Sequence, residues 1–283
     1  MVLGIICNTG KPECQTILPD FLTWLKQLGA NFIADESLRE YLADLTTEYY
    51  PREEIAKHCN VVLSFGGDGT MLSTARAVGA AETPILGVNF GGLGYLTEIS
   101  PEELKDRFKD FLAGRYTIET RMLLEVDVEH NGESNKYHAL NDIVLDKGPI
   151  TRIIKLRINI DGEYFNTYYA DGLVISTPTG STGYSLSAGG PILEPTMKGI
   201  IINPICPHTL AHRPIVITAD KTIEIETDPE RQRQVFVCDG FMEQKVGPGA
   251  KIIIKRSDRV VKLIRMKGSF FYSVLREKLN WGI

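Results

Sequence analysis

The chain has 283 residues, of which 43% are hydrophobic and 24% are charged, so a largely disordered protein is excluded. A net charge of -5 provides no broad basic surface, which argues against nucleic acid as a partner. No apolar run is long enough to span a membrane, and the five cysteines, which form no C-x-x-C pair, predict reduced thiols. We therefore expect a cytoplasmic protein with one large domain or two modest ones.

The first third of the chain alternates between predicted strands and predicted helices. Pro19 is expected to start or kink the first helix, whose apolar residues recur at helical spacing from Ile17 to Leu28, and Ser100 is expected to cap the last one. Such alternation predicts a parallel sheet with helices on its faces. The predicted strands are Val2–Cys7, Asn31–Ala34, Val61–Phe65 and Ile85–Val88, and the later helices are Glu53–His58, Met71–Val78 and Pro101–Leu112.

From about Tyr116 onward, strand patterns dominate, and Asp161-Gly162 predicts a hairpin turn between two of them. We predict an all-β, antiparallel two-sheet domain over 116–267, following an α/β domain over 1–115. A C-terminal helix, Phe271–Leu279 within 268–283, is expected to return to the first domain. The predicted strands are Leu123–Val128, Ile143–Leu145, Ile153–Ile160, Tyr164–Tyr168, Leu173–Ser176, Ile215–Thr218, Thr222–Thr227, Val235–Cys238, Lys251–Lys255 and Val260–Arg265.

A glycine–aspartate turn, Gly66-Gly67-Asp68-Gly69-Thr70, lies where a predicted strand gives way to a helix. Its glycines allow backbone N–H groups to approach a phosphate, and a helix N-terminus favours negative charge. A carboxylate at this place would repel the phosphate unless it accepts a proton or helps to hold Mg²⁺. The alternative interpretation is a tight turn in which Asp68 only caps the helix.

A second polar run, Thr177–Gly190, combines hydroxyls, glycines and one aromatic ring, Tyr184. We expect this run to have no role in building a core and to contact a hydroxylated, flat ligand such as a nucleotide.

Taken in order, these motifs resemble those of the NAD kinase family. The resemblance rests on Gly66–Thr70 and Thr177–Gly190, with Asn89–Tyr95, Asn141-Asp142, Asp171-Gly172 and Pro207–Pro214, and it extends over nearly the whole chain. It implies an enzyme that transfers the γ-phosphate of ATP, or of polyphosphate, to the 2′-hydroxyl of the adenosine ribose of NAD. The product would be NADP, and the reaction would depend on Mg²⁺ carried by the nucleotide phosphates without direct protein ligands. The resemblance also implies a homodimer or homotetramer.

The same resemblance assigns roles to individual residues. Asp68 would be the general base and would contact NAD together with Gly69, while Asn141 and Asp142 would bind ribose hydroxyls. The donor phosphates would lie against Gly66, Gly67, Gly69 and Thr70. The remaining NAD-binding residues would be Arg152, Tyr169, Asp171, Thr182, Gly183, Tyr184, Ser185 and Ser187.

The chain departs from the family pattern at several positions. Gly183 replaces the commoner Ala, Tyr169 stands where many members have Lys, and Phe241 stands where Gln is frequent. Two alternative functions remain open from the sequence. One is a lipid kinase of the diacylglycerol type, which shares the glycine–aspartate turn. The other is a non-catalytic NAD(P) sensor, which would not need Asp68 as a base.

Overall fold

A computed structural model describes residues 1–46, 48–92, 94–130, 132–149, 152–228, 234–268 and 270–282. The chain divides into two compact units, unit 1 with Met1–Thr120 and Val261–Ile283, and unit 2 with Arg121–Val260. The C-terminal helix therefore belongs to the same unit as the first 120 residues.

Unit 1 is built on a parallel sheet in the order β17-β5-β4-β1-β2-β3, with helices among its elements. Strands β1, β4 and β5 are buried along nearly their whole length, as expected of parallel strands that are covered on both faces. The elements are β1 Val2–Cys7, α1 Glu13–Gln27, β2 Asn31–Asp35, α2 Arg39–Leu42, β3 Tyr49–Tyr50, β4 Val61–Gly66, α3 Asp68–Val78, β5 Ile85–Asn89, α4 Leu104–Leu112 and α6 Phe271–Leu279, with β17 Lys251–Met266 entering from unit 2.

The core of unit 1 packs helix α1 and helix α4 around aromatic rings. The Phe21 ring lies 5.1 Å from the Phe108 ring in an edge-to-face arrangement and 5.7 Å from the Phe65 ring, measured between centroids. All three side chains are fully buried, so the helices are fixed on the sheet that carries the glycine–aspartate turn.

Unit 2 contains antiparallel sheets. One runs in the order β13-β12-β11-β8-β15-β16, and the other pairs β10, β9, β14 and β17 in sequence. A core of alternating aliphatic side chains, such as Leu156, Ile158 and Ile223, fills this unit. Its elements are β6 Tyr116–His130, β7 Glu133–Ala139, β8 Asp142–Asp146, β9 Ile154–Ile160, β10 Glu163–Ala170, β11 Gly172–Ser176, α5 Tyr184–Ser187, β12 Gly199–Ile205, β13 Ile215–Thr218, β14 Ile223–Thr227, β15 Gln234–Cys238 and β16 Phe241–Val246.

The predicted fold class, an α/β part with a parallel sheet and an antiparallel all-β part, is confirmed. The hairpin at Asp161-Gly162 is also confirmed, since both residues have positive φ, 51° and 79°, and join antiparallel β9 and β10.

Several predicted elements differ from the structure. The segment Glu53–His58 forms only a short 3₁₀ turn at Ile55–Lys57. Helix α4 begins at Leu104 after a turn, with Glu103 instead of Ser100 at its N-cap. Pro19 lies inside α1, which begins six residues earlier at Glu13, so it does not start the helix.

Other differences concern strands. The two strands predicted over 251–255 and 260–265 are one continuous strand, β17. Four strands were not predicted, namely β3, β7, β12 and β16. Strand β12 contains Pro204, which pairs with Leu173 on β11 but lies beyond the last residue paired with β13, Ile202. Its missing N–H is therefore tolerated, because that side has no paired strand at this position.

Candidate active site

In unit 1, the glycine–aspartate turn joins the end of β4 at Gly66 to the start of α3 at Asp68. A Cβ atom at position 66 would lie 2.2 Å from the Thr70 hydroxyl oxygen, so the fold itself requires this glycine. Cβ atoms at Gly67 and Gly69 would meet no atom of the described residues within 4 Å. Packing therefore does not account for these two glycines, whose bare backbone faces open space that a ligand can approach.

The turn lies at a topological switch point of the parallel sheet. From β1 the chain continues to β2 and β3 on one side, whereas β4 and β5 lie on the other side, next to β1. Ligands of open α/β sheets bind outside the carboxyl ends of strands at such a point. The N-terminus of α3 at the same place adds unpaired N–H groups and a partial positive charge, which favour phosphate.

The Asp68 carboxylate does not cap α3, since the N-cap residue is Gly67 and no side chain caps this helix. Its two oxygens instead accept hydrogen bonds from backbone amides of a distant segment, Oδ2 from Tyr95 at 2.9 Å and Oδ1 from Leu96 at 3.0 Å. The interpretation in which Asp68 only caps the helix is therefore wrong. Each oxygen keeps a further lone pair with which it can accept a hydrogen bond from a ligand.

In unit 2, the segment 140–142 is held by a carboxylate that the sequence analysis missed, Asp239. Its oxygens accept the N–H groups of Leu140, Asn141 and Asp142 at 2.7, 2.6 and 3.1 Å, and its own N–H donates to the Asp142 carbonyl at 2.9 Å. Asp239 and Gly240 both have positive φ and turn the chain from β15 into β16. The Asp-Gly pair in the sequence is the signal that could have drawn attention to this residue.

Asn141 and Asp142 carry two buried acceptor groups to which no described residue donates. The amide oxygen of Asn141 is buried and unpartnered, and no hydrogen bond reaches the carboxylate of Asp142 from the part of the chain that the structure describes. Burial and, secondarily, the charge of Asp239 raise the pKa of Asp142 to about 7. Because buried acceptors normally have partners, this arrangement favours a ligand that donates through hydroxyl groups.

The run that begins at Thr177 packs directly behind this pair. The Thr177 hydroxyl donates to the Leu140 carbonyl at 2.6 Å and accepts from the Gly180 amide at 3.1 Å. A Cβ atom at Gly180 would lie 2.1 Å from the Asn141 carbonyl oxygen, so only glycine fits there. Thr177 is fully buried, and so are Ser181 and Ser185. The expectation that the run has no role in a core is therefore wrong for these hydroxyls.

The other residues of the run lie closer to solvent. A Cβ atom at Gly183 would lie 3.6 Å from Asn141 Nδ2 and 3.8 Å from Asp142 Oδ2, so Gly183 lines the acceptor pair. Thr182 is half-buried, Ser187 is exposed, and 45% of Tyr184 is exposed.

Two groups of this run have further polar neighbours. Burial raises the pKa of the Tyr184 phenol, and nearby acidic groups, Asp146 and Asp142 among them, raise it further. The Ser185 hydroxyl lies 3.4 Å from the side-chain amide nitrogen of Asn203, which also donates to the Ser185 carbonyl at 2.9 Å. These contacts favour a supporting role for Ser185.

The remaining predicted residues form no hydrogen bond or ion pair with Asn141 or Asp142 among the described residues, although Asp171, like Asp142, is one of the acidic groups that raise the pKa of the Tyr184 phenol. Asp171 forms an ion pair with Lys147 at 2.7 Å. The Tyr169 carbonyl accepts the His208 amide at 2.9 Å, and Arg152 is exposed. Among the described residues, no hydrogen bond or ion pair joins Arg152 or Tyr169 to the acceptor pair. Leu93, part of the predicted loop Asn89–Tyr95, lies outside the described residues.

Comparisons with known proteins agree with these motifs. The model of the ATP-NAD kinase N-terminal domain matches residues 3–116, and that of the ATP-NAD kinase C-terminal domain matches residues 140–266. The NAD kinase of Geotalea daltonii is 40% identical over 281 residues, which cover 99% of this chain and 98% of the relative. The chain belongs to the NAD kinase family.

Other members of the NAD kinase family extend this likeness. The NAD kinase of Geobacter sp. strain M21 is 41% identical over 283 residues, covering 99% of this chain and 98% of the relative. The crystal structure of yeast NADH kinase complexed with NADH has a TM-score of 0.92 at 26% identity, covering 100% of this chain and 88% of that one. The NAD kinase of Archaeoglobus fulgidus shares the fold, with a TM-score of 0.77 at 24% identity, covering 99% of each chain.

Among the described residues, no group of three or more His, Cys, Asp or Glu side chains could hold a metal ion. Within the same residues, no helix is long and apolar enough to cross a bilayer.

Proposed function

We propose that the protein transfers the γ-phosphoryl group of ATP, or of polyphosphate, to the 2′-hydroxyl of the adenosine ribose of NAD, which yields NADP. Family membership over the whole chain supports NAD phosphorylation and does not favour the two alternatives, a lipid kinase and a non-catalytic sensor. The observation that carries the mechanistic part of the proposal is the Asp68 carboxylate, held at the switch point beside open glycine backbone.

In unit 1, the donor phosphates would lie against Gly66, Gly67, Gly69 and Thr70. The open space at Gly67 and Gly69 and the N-terminus of α3 support this assignment, because backbone N–H groups can reach phosphate oxygens there. Positioning and neutralisation of charge supply most of the catalysis in phosphoryl transfer.

Asp68 would accept the proton of the 2′-hydroxyl. The oxygen of the 2′-hydroxyl forms a bond to the γ-phosphorus of ATP, while the bond from this phosphorus to the β–γ bridging oxygen breaks. The bridging oxygen leaves as part of ADP. Proton acceptance by a positioned carboxylate is worth roughly 10²- to 10⁴-fold in rate. The paired amides of Tyr95 and Leu96 fix the carboxylate in place before the substrate arrives.

In unit 2, Asn141 and Asp142 would bind ribose hydroxyls of NAD, with Gly183 and Tyr184 beside them. The absence of donors to the Asp142 carboxylate among the described residues supports this assignment, since two vicinal hydroxyls can supply them. The exposed Tyr184 ring offers a surface on which a base or the nicotinamide can stack. The assignments of Arg152, Tyr169, Asp171, Thr182, Ser185 and Ser187 rest on the family resemblance alone.

Magnesium is expected to accompany the donor. Mg²⁺ in nucleotide sites keeps several waters and binds mainly to substrate phosphates, so we expect the phosphate oxygens of the nucleotide to hold it. When bound, it neutralises charge on the phosphoryl group, while the protein contributes the glycine backbone of the turn.

We propose that the protein acts in the cytoplasm as a homodimer or homotetramer. Five cysteines without a disulfide support the location. An exposed apolar set in unit 2 supports self-association. Leu210 is 93% exposed, and Tyr164, Phe165 and Tyr169 on β10 are exposed as well. The substitution Leu210→Glu should lower the mass measured by light scattering, and an unchanged mass would remove Leu210 from the interface.

The experiment for the reaction itself follows NADP formation from NAD, ATP and Mg²⁺ with an NADP-specific dehydrogenase. We expect NADP to accumulate with the wild-type protein. The variant Asp68→Asn should fold and bind NAD but lose roughly 10²- to 10⁴-fold in kcat. Near-normal turnover of this variant would refute the assignment of Asp68 as the base.

A further inference from the structure

The Asp68-binding segment, Gly94–Leu96, determines where the Asp68 carboxylate lies, because both carboxylate oxygens are bonded to its amides. The Asp68 carboxylate lies close to the backbone of Gly94. A Cβ atom at Gly94 would lie 2.4 Å from Asp68 Oδ1 and 2.4 Å from the Thr97 hydroxyl oxygen. Any displacement of this segment therefore moves the carboxylate or breaks its hydrogen bonds.

Arg265, near the end of β17, binds the Asp68-binding segment through the Tyr95 carbonyl. One terminal nitrogen of its guanidinium donates to the Tyr95 carbonyl at 3.2 Å, on the residue whose amide binds Asp68. The other terminal nitrogen lies 2.9 Å from Glu98 Oε2, and Nε lies 3.2 Å from Glu119 Oε1. The guanidinium thus joins a backbone carbonyl to two carboxylates.

Glu98 fixes this guanidinium in turn. Its side chain is 1% exposed, and its second oxygen accepts the Met266 amide at 2.7 Å. Its own amide donates to the Gly87 carbonyl on β5 at 2.9 Å. The chain of contacts therefore runs from the sheet through Glu98 and Arg265 to Tyr95, and from there to Asp68.

We propose that Arg265 is a positioning residue for phosphoryl transfer, which acts by fixing the segment whose amides hold the Asp68 carboxylate. The proposal rests on the proposed role of Asp68 as the base. The guanidinium serves the three acceptors from three separate nitrogens in one rigid plane, and the single ammonium nitrogen of lysine cannot occupy those three positions at once. A misplacement of about 1 Å at a reacting group can cost about 10²-fold in rate, so a tenfold effect is a conservative expectation.

The test compares Arg265→Met and Arg265→Lys with the wild type at 25 °C, with kcat expressed per folded molecule. Both variants should lose at least about tenfold in kcat, while KM for NAD and KM for ATP stay within about twofold. A residue that only stabilises the fold would lower the melting temperature without lowering kcat of the folded fraction. If Arg265→Met does not fold, the double variant Arg265→Met/Glu98→Gln, which also removes the buried negative charge that faces the guanidinium, serves in its place.

Arg107→Met is the matched control. Arg107 lies in the same unit and also bonds one carboxylate, Glu103 at 3.3 Å, and one backbone carbonyl, that of Lys267 at 3.1 Å. It forms no hydrogen bond with the Asp68-binding segment among the described residues, so its loss should leave kcat unchanged. An equal loss of kcat in the control would overturn the proposal.

The remaining outcomes separate the two proposals. Unchanged kcat in the Arg265 variants, or a rise in KM at unchanged kcat, overturns the role of Arg265 and leaves that of Asp68 intact, provided that Asp68→Asn is impaired. Near-normal turnover of Asp68→Asn refutes the base itself, whatever the Arg265 variants do.

Discussion

Asp142 provides a thermodynamic test of the acceptor pair in unit 2, because its carboxyl group is buried beside Asp239 and lacks a hydrogen-bond donor among the described residues. The perturbation is Asp142→Asn, which removes the ionisable group and keeps the size of the side chain. The measured quantity is the free energy of unfolding in urea as a function of pH, for the wild type and the variant in parallel.

The expected magnitude comes from the pKa of Asp142, which is raised from its ordinary value of 3.8 to about 7. Below pH 3.8 the carboxyl is neutral in both states. As the pH rises toward 7, the unfolded chain ionises while the folded protein keeps its proton, so folding becomes less favourable. The stability that this group contributes is therefore lost as the pH rises from 3.8 through the folded-state pKa of about 7. The total loss is roughly 4 kcal/mol, since each unit of pKa difference is worth about 1.4 kcal/mol.

Between pH 5 and pH 8.5 the wild type should therefore lose roughly 2–3 kcal/mol relative to Asp142→Asn. The difference between two pH values is the readout, since any packing cost of the amide is the same at both. Glu226→Gln, which removes an exposed carboxyl group from β14 in the same unit, is the control and should follow the wild type. A constant gap between Asp142→Asn and the wild type at both pH values would refute the reasoning.

The same carboxyl group should couple NAD binding to pH. If ribose hydroxyls donate to Asp142, binding favours its ionised form, and the affinity measured by calorimetry should rise between pH 6 and pH 8. The variant Asp142→Asn should bind more weakly and lack this dependence. A wild-type affinity for NAD that does not change with pH would remove Asp142 from the site.

Three further predictions concern the glycines and the carboxylate that shape the two sites. Gly66→Ala should lower the free energy of unfolding by more than about 2 kcal/mol, because its Cβ would meet Thr70. Gly69→Ala should leave the free energy of unfolding unchanged or raise it by up to about 1 kcal/mol, because alanine favours a helix more than glycine does. The same variant should nevertheless raise KM for ATP. Urea unfolding and initial rates measure both, and a stable, fully active Gly69→Ala would place the phosphates elsewhere. Asp239→Ala should cost at least about 2 kcal/mol and raise KM for NAD, since three amides lose their acceptor. Gly183→Ala should lower the free energy of unfolding by less than about 1 kcal/mol and keep KM for NAD within about twofold, because the tight contact of its Cβ with the Gly180 carbonyl oxygen, at 3.3 Å, needs only a small shift to relieve.

Local patterns in the sequence predicted most of the regular structure. Continuous apolar runs identified the buried strands β1, β4 and β5, and the Asp161-Gly162 pair identified a hairpin. Two of the missed strands, β7 and β12, lack the local pattern of a strand. Strand β7 is largely exposed and polar, and β12 contains Gly199, Asn203 and Pro204, which locally favour a turn. Both strands form because neighbouring strands supply their hydrogen bonds.

The candidate sites were predictable as motifs, whereas the contacts that orient them were not. Asp68 depends on amides 27 and 28 positions later, and Asn141 depends on Asp239, 98 positions away. No local periodicity encodes such pairs, because each forms only after the sheets bring distant turns together. A polar motif therefore identifies the kind of chemistry. The orientation of its side chains is determined by hydrogen-bond partners from distant parts of the same unit. If this view is correct, removal of Arg265 or Asp239 should impair the reaction even though neither residue belongs to a motif that names the family.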